Sequence, residues 1–192
     1  MHTKPLRLEA DCRREQQLDA ALGLTYGHIT NWRPEMAQGD VTIFEEFSKD
    51  LGNKVHNLGS DTFYIGLIDN TAAPTAADAT PRWADYSGNE VSTAGGYTAG
   101  GEDVTASVAP YAEANGVGTF KLTSITIAQN GSGFEDAYWG IVYNGTASND
   151  EAVGFVDLGG PVSEKAGAVE IKFDGASSGS EGAFLTVTVD NS

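Results

Sequence analysis

From Thr62 onward the chain reads as a succession of short apolar runs set apart by Gly, Asn, Asp and Ser. The runs are TFYIGLID (62–69), GTFKLTSITIA (118–128), AYWGIVYN (137–144), EAVGFVDLG (151–159), AVEIKFD (168–174) and GAFLTVTVD (182–190). They are rich in β-branched and aromatic residues. In three of them apolar and polar positions alternate over much of the run, at Leu122, Ile125 and Ile127, at Val169, Ile171 and Phe173, and at Leu185, Val187 and Val189. This pattern predicts strands with one apolar face. Asn115-Gly116, Asn130-Gly131 and Asn144-Gly145 carry the chemistry of tight turns between strands. Short strands without intervening helices predict a mainly β fold, an antiparallel β-sandwich or barrel-like domain over residues 61–192.

Ahead of the strands the period changes. In DVTIFEEFSKDLGNKVHNL, Phe44, Phe47, Leu51 and Val55 fall at helical spacing and predict one amphipathic helix within residues 36–60. Asp40 is placed to cap it, Glu45 and Glu46 suit the positive end of its dipole, and Gly52 weakens its middle. The plain reading of the stripe is packing on the domain. The sharper one is contact with copies of the chain or with another protein, which makes Phe44, Phe47, Leu51 and Val55 candidate contact residues. His56, near the helix end, reads as a surface residue or a partner of the helix dipole.

Charge divides the chain at the same place. Residues 1–35 carry five basic and five acidic residues, whereas residues 36–192 carry six Lys+Arg against 22 Asp+Glu, the whole of the net −16. Two readings of residues 1–35 follow: an extension upstream of a natural start at Met36, which is favoured, or an arm in which LEADCRREQQLDAALGL forms a short helix. So acidic a body is a poor match for nucleic acid or an anionic membrane, because both are bound largely through Lys and Arg. It suits a basic partner surface instead. Cys12 is the single cysteine, no apolar run approaches a membrane span, and no secretory h-region opens the chain. These features point to synthesis in a reducing cytoplasm.

Catalytic chemistry is sparse. No histidine follows His56, so the β region offers no hydrolytic triad, and neither G-x-S-x-G nor H-E-x-x-H occurs. The adjacent acids Glu102/Asp103, Glu135/Asp136 and Asp150/Glu151 would point to opposite faces of a strand, which favours solvated turn charges over a paired-acid site. Asn149-Asp150-Glu151 lacks the spacing of a calcium loop. The glycine-dense NEVSTAGGYTAGG (89–101) has no following helix and is followed by acids. It is therefore a bend rather than a phosphate cradle: Gly95, Gly96, Gly100 and Gly101 supply positive φ, and Tyr97 packs between them. The Ala/Thr/Pro-rich stretch NTAAPTAADATPRWADYSGNEV reads as a surface excursion, with Trp83 and Tyr86 as candidate exposed contacts. Trp139 reads as core. No enzyme activity, cofactor or metal is expected.

The segments VTIFEEFSKDLGNKVHNLGSDTFYIGLIDN, DYSGNEVSTAGGYTAGG, YWGIVYN, VGFVDLGG and FLTVTV, in this order from Val41 to Val189, resemble a family of small structural proteins of tailed bacteriophages. The NEV…GYTAGG string together with GFVDLGG carries most of that resemblance. It implies a virion component, assembled in the host cytoplasm, without catalytic residues. The chain is too small and too β-rich for a shell-forming major capsid protein and lacks fibre repeats. The resemblance therefore favours a head decoration or cement protein on the major capsid lattice, most simply as a trimer on a symmetry axis. A tail-associated or fibre-base adaptor is the alternative. A carbohydrate-binding module using Trp83 and Tyr86 is an alternative of another class.

Overall fold

The chain's computed structural model describes residues 39–173 and 180–188, all within the unit that runs from Met36 to Ser192. The two readings of residues 1–35 lie outside the described residues, as do the ends of the predicted strands at 174 and 189–190. In chain order the elements are β1 (Val41–Ile43), α1 (Phe47–Gly52), β2 (Phe63–Ile68), α2 (Trp83–Tyr86), a 3₁₀ turn (Ser87–Asn89), β3 (Glu102–Asp103), β4 (Tyr111–Ala114), β5 (Val117–Thr123), β6 (Ile125–Ile127), β7 (Ala137–Asn144), β8 (Ala152–Val162), β9 (Val169–Ile171) and β10 (Glu181–Thr188).

Three antiparallel sheets result, with strand orders β1-β8-β7-β2-β3, β10-β5-β4 and β6-β9. The protein is mainly β, with sandwich-like packing. Phe63, Ile65 and Leu67 of β2 share one core with Phe120, Leu122, Phe184, Val169 and Ile171 from the two smaller sheets. Phe63 and Phe120 meet edge to face at 4.8 Å between centroids, a favoured aromatic geometry. Asn115 and Gly116, at φ 55° and 79°, form the two-residue turn between β4 and β5. Positive φ at both central positions is what a type I′ hairpin turn demands.

The five-stranded sheet is apolar on its other face too. Ile68, Ile141, Tyr143 and Phe155 form a second core with Phe44, Trp83 and Tyr86. The excursion between β2 and β3 therefore lies over the sheet as a cover. Its backbone is sewn down at both ends: Trp83 N–H donates to Asp150 O, Ala152 N–H to Pro81 O, and Val91 N–H to Leu67 O. Trp83 stacks on Tyr143 at 5.2 Å, above the space that Gly66 leaves by having no side chain. The Asp78 carboxylate accepts the Tyr86 hydroxyl (2.7 Å) and the Thr75 N–H.

The predicted helix over 36–60 is corrected. Val41–Ile43 pairs with Gly154–Val156 of β8, so Asp40 precedes a strand and caps no helix. The helix itself is the six residues of α1. Its end is a Schellman motif: Lys54 N–H bonds Leu51 O, Val55 N–H bonds Asp50 O, and Lys54 takes the left-handed φ of 62°. Phe44 and Phe47 enter different cores, on the two sides of the large sheet, so the four apolar residues form no single stripe.

Candidate interaction surface

The segment after α1 is held by a buried polar cluster. His56 is 4% exposed, and its ring stacks on Phe47 at 5.5 Å. Asn144, at the end of β7, is fully buried; its Oδ1 accepts the N–H groups of Thr146 and Ala147. That fixes Nδ2 as the donor, and it reaches Asp61 Oδ2 at 2.7 Å and His56 Nδ1 at 3.2 Å. In the neutral ring whose Nδ1 accepts from this amide, the imidazole proton is on Nε2. No described residue hydrogen-bonds that Nε2. Burial pushes the His56 pKa below its ordinary value, against the opposing pull of Asp50, Glu151 and Asp61.

Beside this cluster lies a cleft of about 610 Å³. Leu51, Lys54 and the run His56, Asn57, Leu58 and Gly59 supply one part of its lining, and Tyr111 and Val187 the other. Val187 of β10 stands opposite Gly118 of β5, and the Tyr111 ring reaches over Gly118 from β4. On β5 the same face carries Phe120 and Leu122 into the core. The cleft is thus an uncovered end of the sandwich interior. Five large hydrophobic residues are exposed among the described residues, and three of them, Leu51, Tyr111 and Val187, line this one cleft.

The candidate contacts read from sequence fare unevenly. Leu51 lines the cleft, and Val55 is half-buried, its carbonyl oxygen 3.4 Å from Asn144 Nδ2. Phe44 and Phe47 are core residues. Trp83 and Tyr86, expected to be exposed, are buried at 8% and 5%, because the second apolar face of the sheet needs a cover. Trp139 is half-buried, with its indole N–H donated to Asn70 Oδ1. His56 is a buried hub rather than a surface residue. Tyr111 and Leu58 carried no signal in the sequence beyond being apolar.

The glycine stretch also resolves into named contacts. Tyr97 is buried; its hydroxyl accepts the Leu67 N–H and donates to Glu90 Oε1, which also accepts the Gly100 N–H. Burial raises the Tyr97 pKa far above that of a free phenol. The Tyr143 hydroxyl donates to Gly100 O. Gly100 and Gly101 have φ of 86° and 108°, as expected of turn glycines. Gly95 and Gly96 do not have positive φ; their role is space. With Gly133 they close around the fully buried Glu164, whose Oε1 accepts the Gly96 N–H at 2.5 Å. The stretch is thus no phosphate cradle but packs around a carboxylate, which is tied to the Gly95–Gly96 turn by one hydrogen bond, lies against Gly133, and keeps its Oε2 buried without a partner among the described residues.

Acids elsewhere are engaged in turns. Glu151 accepts both the N–H and the side-chain amide of Asn149, and its pKa lies below the ordinary carboxylate value because these hydrogen bonds outweigh its burial. Among the described residues no cluster of three or more His, Cys, Asp or Glu is placed to hold a metal ion. No helix among them is long and apolar enough to cross a membrane. Compared with models of protein families, curated proteins and solved structures, the chain finds no match.

Proposed function

We propose that the chain is a non-enzymatic structural component of a tailed-bacteriophage virion, and specifically a head decoration protein bound to the major capsid lattice. The reading is carried by the ordered resemblance of segments from Val41 to Val189. Glu90, Tyr97 and Gly100 of the NEV…GYTAGG string are bonded to one another and to β2, which is a fold-holding role. The cleft at Leu51, Tyr111 and Val187 supports a docking surface. Repetition of such a modest contact over a symmetric particle gives tight attachment through avidity, and a trimer would match a local threefold axis. The carbohydrate-binding alternative has lost its motive, since Trp83 and Tyr86 present no stacking face to a sugar. Cryo-electron microscopy of purified virions tests the proposal: density for the chain on the capsid is expected, and density confined to the tail would reject it in favour of an adaptor.

A further inference from the structure

We propose that the cleft beside His56 binds an extended protein segment with apolar side chains flanked by Lys or Arg. Three observations meet there. First, Leu51, Tyr111 and Val187 stay exposed at an open end of the core, and a space of about 610 Å³ accommodates two or three aliphatic side chains. Second, the buried residues His56 and Leu58 form part of the cleft's lining, so an apolar occupant would meet a wall that is fixed by the core. Third, residues 36–192 carry 22 acidic against six basic residues. Asp50, Asp61 and Glu151 lie near enough to act on His56, whereas the lining itself carries Lys54, so the acids attract basic residues that flank the occupant rather than enter the cleft. The inference rests on the cleft and on the charge around it, and it does not depend on the proposed virion role.

The test uses the full 192-residue chain, ¹⁵N-labelled, and three synthetic peptides. One is apolar with lysine flanks (acetyl-Lys-Leu-Val-Leu-Lys-amide), one has glutamate in place of lysine, and one keeps the lysines around a Ser-Gly-Ser centre. The first is expected to shift the amides of Leu51, Asn57, Leu58, Gly59, Tyr111 and Val187 saturably. It should also bind about tenfold or more tightly than either control. Leu51→Ser and Val187→Ser should each weaken it by about tenfold. Val108→Ser, an exposed apolar residue that does not line the cleft, should leave it unchanged. Amide spectra of the free variants establish that they are folded. Three outcomes overturn the proposal: no saturable shift at the cleft, equal binding by either control peptide, or burial of these residues in a self-associated chain.

Discussion

At the scale of single residues the fold depends on places where a side chain is absent. Gly101 has φ of 108°, and a Cβ there would lie 2.6 Å from Ile65 O, against the backbone of β2. Neither the conformation nor the contact can relax without moving a strand. Gly101→Ala should therefore cost roughly 2–5 kcal/mol, whereas Gly131→Ala, with open space and an ordinary φ, should stay within about 0.5 kcal/mol. Urea unfolding followed by tryptophan fluorescence measures both, and equal losses would refute the distinction. The Glu164 cradle makes a companion case. Glu164→Ala removes the acceptor of the Gly96 N–H and leaves a cavity among Gly95, Gly96 and Gly133, with an expected loss of about 2–4 kcal/mol. Glu164→Gln keeps an acceptor and the volume, and should lose less than half as much. An alanine variant as stable as the glutamine one would show that the carboxylate does not tie these loops.

At the scale of elements, what the sequence disclosed follows the strength of each element's own signal. β2, β7 and β8 were legible because long β-branched and aromatic runs have few other homes, and the Asn115-Gly116 turn because its chemistry is local. β3 is Glu102–Asp103, whose pairing with Tyr64 and Ile65 is set by the neighbouring strand and leaves no apolar trace. β1 was lost inside an apparent helix: Phe44 and Phe47 have helical spacing, yet tertiary pairing with β8 overrides it. The cleft was half legible. Leu51 stood out by periodicity, but Tyr111 and Val187 join it only through the register of β4, β5 and β10. The segment after α1 carries the buried His56, and this sets a pH response. The folded-state pKa is pushed down, so the folded form binds fewer protons than the unfolded chain below about pH 6.5. Its stabilising effect is full above that value and is lost as pH falls from there toward the lowered folded pKa. Asp50, whose pKa burial raises, acts in the opposite direction at lower pH. Stability measured from pH 8 to 5 should fall in the wild type, and the same series on His56→Gln should be flatter. Parallel curves would remove His56 as the source.

At the scale of the whole molecule, the same acidity that favours a basic partner works against the fold itself. The net −16 arises entirely after residue 35, and the salt bridges found among the described residues, such as Lys165–Glu135 and Lys172–Glu170, lie at the surface. Exposed pairs of that kind contribute little, about 0–1 kcal/mol each. Mutual repulsion of the carboxylates is therefore the larger long-range term, and it is relieved on unfolding as the charges move apart. Salt separates the two roles of the charge. The screening length shrinks from about 30 Å at 0.01 M to about 3 Å at 1 M, which weakens repulsion within the fold and attraction to a basic segment alike. Raising sodium chloride from about 0.01 to 0.5 M should lift the midpoint of thermal unfolding by several degrees. Over the same range the lysine-flanked peptide should lose affinity, while its apolar contribution persists. Calorimetry at several salt concentrations, paired with the peptide titration, reads both effects on one protein. A midpoint that falls with salt would mean that attractive charge pairs dominate the fold.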